Sequence, residues 1–166
     1  MNKFKARLYA IEHTQKFGED YNEMFAPAAR MTSIRVKLST ATEKDLEIYQ
    51  FDVNKTFLYD NMKEEIYMKQ PSGFVDKKRP DKVCMLMKSL YGIKHASRQW
   101  NEKINQHIIE QGFECDTTDT CIYYRIKGEE YTIMAIYVGN IIVMSQDTAI
   151  INSIRDNLKQ EFKIKN

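Results

Sequence analysis

The sequence predicts an α+β fold in which an antiparallel sheet is covered by helices on one side. Several short runs rich in Ile, Val and Tyr follow one another, with turn residues between them, as strands of such a sheet do. Three other segments repeat apolar residues at helical spacing, and one apolar run contains a Gly-Asn pair that indicates a hairpin. Strands in series, interleaved with helices that pack on them, are typical of α+β proteins.

The first predicted helix lies within residues 30–45, where Thr32 or Ser33 can cap its N-terminus. A second helix spans residues 97–111, and a third begins at Asp147. Each has an apolar face that is expected to pack on the sheet. These faces consist of Ile34, Leu38 and Ala41 in the first helix, Trp100, Ile104 and Ile108 in the second, and Ile150, Ile151, Ile154, Leu158 and Phe162 in the third.

Strands are predicted between these helices. They are Ile48–Val53, a short strand in "EEIYMKQPSGF", another in "KVCMLMKSLYG" that ends at Gly92, one in "TCIYYRIKG" and two in "EEYTIMAIYVGNIIVM". The last stretch turns at Gly139-Asn140, which predicts a two-residue type II′ turn with Gly at its first central position. Because the flanking runs show little polar alternation, both faces of this hairpin are expected to be buried.

Composition is that of a globular protein, with 43% hydrophobic and 29% charged residues in 166. This length suits one domain, predicted over residues 1–166, and the composition excludes disordered and fibrous classes. A net charge of only +2 gives no global basic field, but three local basic clusters could contact nucleic acid. They are Lys3, Lys5 and Arg7; Lys77, Lys78 and Arg79; and Lys88, Lys94 and Arg98.

The three cysteines are odd in number and have no CxxC spacing, so neither a disulfide framework nor a zinc ribbon is indicated. Reduced thiols, the absence of a signal-peptide core and the absence of a membrane-length apolar run together predict an intracellular, cytoplasmic protein without a membrane partner. His13, His95 and His107 match no metal-ligand spacing.

Asp52 is the first candidate for chemistry, since it stands near the end of an apolar strand in "YQFDVNKTF". A carboxylate buried there is costly unless it is paired or binds a cation. On the spacing alone, two interpretations of Asp52 remain open, namely a helix or turn cap and a ligand of Mg²⁺. Two-metal nucleotidyl transfer would need further carboxylates from a neighbouring element, such as a hairpin turn.

Six segments in unbroken order resemble the reverse transcriptase of Ty1/copia-type retrotransposon Pol polyproteins. They are "KARLYAIEHTQ", "DYNEMFAPAARMTSIR", "LEIYQFDVNKTFL", "EEIYMKQPSGF", "SLYGIKHASRQWNEK" and "IYVGNIIV". The resemblance implies the fingers and palm of a right-hand polymerase, with RNA-directed DNA synthesis as the reaction class. It also implies a primer-template of RNA and DNA and a deoxynucleoside triphosphate as partners, Mg²⁺ as cofactor, and a virus-like particle or the nucleus as further possible locations.

Site residues carry over from the family by position. Asp52 corresponds to the first catalytic, metal-binding aspartate, and the backbone around Val53 would face the triphosphate. Phe57 falls at the aromatic position that excludes a ribose 2′-OH. The remaining nucleotide-binding candidates are Tyr91, Gly92 and Lys94, beside His95 where the family carries Gln, and Lys5 and Arg7 in a fingers strand.

The hairpin turn departs from the family at the two positions that matter most. In the family it reads Tyr-Val-Asp-Asp, whereas here Tyr137 and Val138 are followed by Gly139 and Asn140. Of three expected carboxylates only Asp52 remains, and the amide oxygen of Asn140 is a poorer Mg²⁺ ligand than a carboxylate. We therefore expect Mg²⁺ to bind weakly or not at all, and catalysis to be absent.

Other departures point the same way. Asn54, Lys55 and Thr56 alter the residues next to Asp52, while Asp60 and Glu12 replace family glycines. By the resemblance the chain begins within the fingers and ends before the thumb and any RNase H domain. Three hypotheses follow, namely an inactive reverse transcriptase, a polymerase subunit whose metal site a partner completes, and a polymerase-derived binding module. The sequence indicates no oligomeric state.

Overall fold

A computed structural model of the chain describes residues 8–9, 26–54, 56, 65–90, 93 and 96–165. The chain divides into two compact units. The first consists of Met1–Phe25 and Phe57–Trp100, and the second of Ala26–Thr56 and Asn101–Asn166. The single domain expected over residues 1–166 stays a prediction.

The second unit is built around an antiparallel sheet of six described strands in the order β4-β5-β6-β7-β1-β8. The strands are β1 (Glu47–Val53), β4 (Glu114–Cys115), β5 (Ile122–Lys127), β6 (Glu130–Tyr137), β7 (Asn140–Ser145) and β8 (Ile164–Lys165). This confirms the predicted α+β class with an antiparallel sheet. The hairpin of β6 and β7 lies in the centre of the sheet, and burial of most of its residues on both faces is also confirmed.

Helices lie on both faces of this sheet, so the prediction of cover on one side was wrong. Helix α1 (Met31–Glu43) packs through Ile34 and Ala41 on a cluster of sheet residues that includes Ile133 and Met144. On the opposite face, the Tyr123 hydroxyl donates a 3.0 Å hydrogen bond to Oδ1 of Asn105 in α2 (Ala96–Glu110). The apolar pattern of β6 and β7 requires this arrangement, since side chains of both faces need cover.

The N-terminus of α1 is stabilised from a distant part of the chain. Its N-cap residue is Arg30, which makes no side-chain cap, so the predicted capping by Thr32 or Ser33 was wrong. The backbone N–H of Arg30 instead donates to Oδ2 of Asp119 at 2.8 Å, and the Ser33 hydroxyl also bonds this carboxylate. A carboxylate at a helix N-terminus satisfies free N–H groups and complements the helix dipole.

The other two helices agree closely with the predicted ones. Trp100, Ile104 and Ile108 of α2 are buried, as expected, so Trp100 has no face open for base stacking. Helix α3 (Thr148–Glu161) begins at the N-cap Asp147 and contacts β1 and β7. An ion pair of 3.2 Å between Lys103 and Glu161 joins α2 to α3.

In the first unit, the described residues form a two-stranded antiparallel sheet of β2 (Tyr67–Lys69) and β3 (Val83–Met85). β3 is shorter than the strand predicted from "KVCMLMKSLYG", and Gly92 lies outside the described residues. A small cluster of Ile66, Ile93 and Ala96, with Leu86 and Leu90 packed against it, forms the described apolar core of this unit. None of the helices in the described part of the chain has the length and apolar composition of a membrane span.

Candidate functional site

Asp52 lies within β1 between Phe51 and Val53, whose side chains are buried on the other face of the strand. Phe51 is 2% exposed and Val53 is 3% exposed, whereas Asp52 is exposed. Because successive side chains of a strand point to opposite faces, the carboxylate of Asp52 projects from the face that Phe51 and Val53 avoid. The expectation of a buried carboxylate was therefore wrong, and so was the alternative of a cap, since Asp52 is paired with strands on both sides.

The neighbours of Asp52 come from two strands. Across β7 its partner is Asn140, and across β8 it is Lys165. Residues directly opposite one another in antiparallel strands point to the same face, so Asp52 stands between an amide and an ammonium side chain. Beyond it, the backbone N–H of Val53 donates to the carbonyl of Gly139 at 2.8 Å. The expected closeness of Asp52 to the turn is therefore confirmed. Because the Val53 N–H makes this hydrogen bond within the sheet, it is not available to bind a phosphate.

The turn itself is shifted by one residue from the prediction. Tyr137 pairs with Asn140, so its two central residues are Val138 and Gly139. Val138, not Gly139, has a positive φ, of 54°. Positive φ at the first central position alone is that of a type II′ turn, which normally has Gly there. A β-branched residue is strained in this conformation, so the turn is held by the strands rather than by local preference.

Gly139 lies in a tight space rather than in an unusual backbone conformation. A Cβ atom added there would meet the Thr56 methyl Cγ2 at 3.0 Å, the Val53 carbonyl oxygen at 3.4 Å and Oδ1 of Asp52 at 3.9 Å. A side chain at this position would therefore point towards Asp52 while crowding Thr56. The geometry brings position 139 to the Asp52 carboxylate, as the resemblance to the polymerases implies.

The amide oxygen of Asn140 already has a hydrogen-bond donor. Nε2 of Gln50 donates to Oδ1 of Asn140 at 2.8 Å. Gln50 and Asp52 alternate with Phe51 on β1 and so lie on the same face as Asn140. Asn140 was expected to offer this oxygen as a weak ligand, but a neutral amide that accepts from Gln50 has less electron density to offer a cation.

These residues do not fit a two-metal centre. Asp52 supplies one exposed carboxylate, Gly139 supplies no side chain, and Lys165 places a positive charge in the position directly across β8. Within the described parts of the chain, no group of three or more His, Cys, Asp or Glu side chains is placed to hold a metal ion. Two hard cations about 3.5–4 Å apart need more than one carboxylate to hold them.

Most of the other predicted site residues lie outside the described residues. They are Lys5, Arg7, Phe57, Tyr91, Gly92 and Lys94, together with Glu12, Asp60 and His95. Their roles stay predictions.

The three cysteines are free thiols. Burial is the largest influence on Cys121 and raises its pKa to about 11.

Two residues beside Asp52 escaped the sequence reasoning, namely Gln50 and Lys165. Gln50 could have been found, because it is two residues before Asp52 in a strand and must share its face. Lys165 could not, since its position depends on how the chain returns to β1 after α3. Thr56 was named as a departure near Asp52, but its closeness to position 139 was not predicted.

Comparison with known proteins gives one consistent result. A family model described as reverse transcriptase (RNA-dependent DNA polymerase) matches residues 1–166. The retrovirus-related Pol polyproteins from transposons RE1 and RE2 of Arabidopsis thaliana are 38% and 39% identical over 165 residues, which is 99% of this chain and 11% of each relative. The Pol polyprotein from transposon TNT 1-94 of Nicotiana tabacum is 38% identical over 164 residues, covering 98% of this chain and 12% of the relative.

The chain thus spans about a tenth of the length of these curated relatives. No solved structure matches it significantly.

Proposed function

Because this chain belongs to the reverse transcriptase (RNA-dependent DNA polymerase) family, we propose that it is the fingers and palm of a copia-type enzyme that no longer polymerises. The six-stranded sheet with Asp52 and the β6-β7 turn would be the palm, and the β2-β3 unit would belong to the fingers. The antiparallel sheet and the adjacency of Asp52 to position 139 support this assignment.

One observation carries the proposed loss of catalysis. Gly139 and Asn140 lie beside Asp52, and neither of them has a carboxylate. In two-metal phosphoryl and nucleotidyl transfer, paired cations stabilise the attacking and leaving oxygens together. A single exposed carboxylate cannot hold that pair, so no catalytic step can be assigned to this site.

What remains of the family's site would serve binding. Phe57, Tyr91, Gly92, Lys94, Lys5 and Arg7 are the proposed contacts to a deoxynucleoside triphosphate and to the primer-template. The backbone around Val53 would face the triphosphate, although its N–H donates to the Gly139 carbonyl. We place the chain inside the cell, in the cytoplasm, a virus-like particle or the nucleus, as relatives of this kind imply.

Two alternatives compete with an inactive polymerase domain. In one, a partner chain supplies the missing carboxylates and restores activity. In the other, the chain serves as a binding module for nucleic acid or for a protein. The exposed Asp52 would admit a partner's side chains. The neutral Gln50-Asn140 pair beside it favours the two hypotheses without catalysis, namely an inactive polymerase domain and a binding module.

Primer extension on an RNA template with Mg²⁺ tests the proposal. The natural chain is expected to yield no extended product above a protein-free background. The matched control is Asp52→Asn, which should be indistinguishable from the natural chain. Extension that disappears in Asp52→Asn would mean that Asp52 still supports catalysis, and the proposed loss of activity would be wrong.

A further inference from the structure

The loop between β2 and β3, residues 70–82, presents an aromatic ring to solvent. Phe74 in this loop is 84% exposed, more than any other large apolar side chain in the described part of the chain. Val75 beside it is also exposed. An aromatic ring held in water contributes almost nothing to folding, and contiguous exposed apolar surface often marks a binding site.

This loop is ordered by its own hydrogen bonds. Nε2 of Gln70 donates to the carbonyls of Arg79 and Lys82, each at 2.9 Å, and Oε1 of Gln70 accepts from the backbone N–H of Asp76 at 2.7 Å. One amide side chain thus ties together both ends and the middle of the loop. The ring of Phe74 is carried by a preorganised backbone, which lowers the entropy lost on binding a ligand.

Phe74 is the last residue of a tight turn in this loop. The Phe74 N–H donates to the Pro71 carbonyl at 3.0 Å, and Gly73 between them has φ +85°. Positive φ at the third position of the turn, with no positive φ at Ser72, is that of a type II turn. Glycine is needed there, because other residues are strained in that conformation.

The loop is basic as well as aromatic. Five basic residues stand against two acidic ones between residues 69 and 82, and the side chain of one acid, Asp76, pairs with Arg79 at 3.0 Å. Lys77 and Lys78 are exposed. They follow Phe74 within four residues, so the Cα atoms of Phe74 and Lys77 are at most about 11 Å apart. An exposed ring and exposed cations thus lie close together in the loop.

We propose that this loop binds single-stranded nucleic acid, with Phe74 stacking on an unpaired base and Lys77 and Lys78 contacting the neighbouring phosphates. Base stacking on aromatic rings combined with backbone contacts from cations is how proteins hold single strands. The excess of positive charge favours a polyanion over an apolar protein partner. The proposal does not depend on the loss of catalysis, because binding through this loop needs neither metal nor nucleotide.

The ring is tested by fluorescence anisotropy, with the full chain and a labelled single-stranded RNA of twelve uridines. Phe74→Ala should weaken binding by about fivefold to a hundredfold, the range of one lost base stack. Phe74→Trp should bind as tightly as the natural chain. Phe74→Leu, which keeps apolar volume without a ring system, should bind as weakly as Phe74→Ala. Ile126→Ala removes an exposed apolar side chain on β5 and should change nothing.

The cations are tested by the salt dependence of the same binding. Lys77→Glu with Lys78→Glu should weaken binding and reduce the slope of log affinity against log salt by about 1.4, since each phosphate contact on a single strand contributes about 0.7. Lys127→Glu with Lys159→Glu, which reverses two exposed lysines of the second unit, is the matched control and should leave the slope closer to that of the natural chain.

Several results would overturn the proposal. One is a natural chain that does not bind the RNA at low salt. Another is Phe74→Leu binding as tightly as the natural chain, which would show that the ring acts only as apolar surface. A third is sedimentation showing self-association that Phe74→Ala abolishes and Phe74→Leu retains, because the loop would then dock a second copy of the chain. Unchanged thermal unfolding of each Phe74 variant shows that any loss is not a folding defect.

Discussion

Nε2 of Gln50 donates a 2.8 Å hydrogen bond to Oδ1 of Asn140, two residues along β1 from the Asp52 carboxylate. An amide oxygen has two lone pairs and no charge, so this contact leaves little for a cation. A carboxylate at position 140 could accept from Gln50 and still offer further lone pairs. The amide at position 140 therefore limits what the face around Asp52 can offer a metal ion.

Packing at Gly139 predicts a specific coupling with Thr56. Gly139→Ala should destabilise the fold by about 1 kcal/mol, because the new Cβ meets the Thr56 methyl at 3.0 Å in a buried setting. Thr56→Ser removes that methyl and keeps the hydroxyl. On the Thr56→Ser background, Gly139→Ala should be close to neutral, since φ at Gly139 suits any residue.

Urea unfolding of the four chains in this cycle gives the coupling free energy directly. Equal effects of Gly139→Ala on both backgrounds would mean that Thr56 does not limit the space at the turn.

The strained turn residue predicts a stabilising substitution. Val138 has φ 54° and is 42% exposed, so little packing is lost when its side chain is removed. Val138→Asn should raise the free energy of unfolding by about 0.5–1 kcal/mol, since Asn tolerates this conformation far better than a β-branched residue. Val36→Asn, at an exposed position of α1, is the control and should not stabilise. Thermal unfolding measures both, and a lower Tm for Val138→Asn would contradict the strain.

Asp119 predicts a pH-dependent contribution to stability. Burial, the largest single influence, raises its pKa, but hydrogen bonds from Ser33 and from the N–H groups of Arg30 and Cys121 outweigh it and bring the pKa below its ordinary value. Because the pKa of Asp119 is lower in the folded state than in the unfolded state, where it is about 3.9, ionised Asp119 stabilises the fold above that pH. This stabilisation is lost as the pH falls through the pKa of the folded state.

Asp119→Asn should therefore cost about 1–2 kcal/mol at pH 7, comparable to the loss of a helix cap, and progressively less below pH 4. Urea unfolding at pH 7, 5, 4 and 3 measures the difference between the two chains. Asp156→Asn, at an exposed position of α3, is the control and should show a much smaller difference. A difference between Asp119→Asn and the natural chain that does not shrink in acid would contradict an ionised carboxylate at the start of α1.

The sequence predicted what depends on local pattern. The three helices, the central hairpin and the approach of Asp52 to the turn followed from apolar periodicity, turn residues and the family resemblance. It missed features set by tertiary contacts. Asp119 acts on α1 from 89 residues away, and the pairing of Tyr137 with Asn140 shifts the turn onto Val138. Local preference favours Gly at the turn residue with positive φ, but the register of β6 and β7 places Val138 there.

Metal binding at the turn is the most direct prediction from the site. The natural chain should show no Mn²⁺ binding at Asp52 by isothermal calorimetry or paramagnetic broadening, because one exposed carboxylate with Lys165 opposite cannot hold a hard cation tightly. Gly139→Asp with Asn140→Asp should create a binding site. The backbone at position 139 tolerates this change, so its cost comes from crowding by Thr56 and from the charge placed beside Asp52.

Because Mn²⁺ relieves that repulsion, the double variant should also gain stability when the ion is added, whereas the natural chain should not. Adding Asp52→Asn to the double variant is the matched control. It preserves the shape of the site and removes one carboxylate, so binding should weaken by more than tenfold or vanish. If the double variant binds no better than the natural chain, positions 139 and 140 do not converge on Asp52 as the strand register places them. If the natural chain itself binds Mn²⁺ through Asp52, the proposed loss of the metal site is wrong.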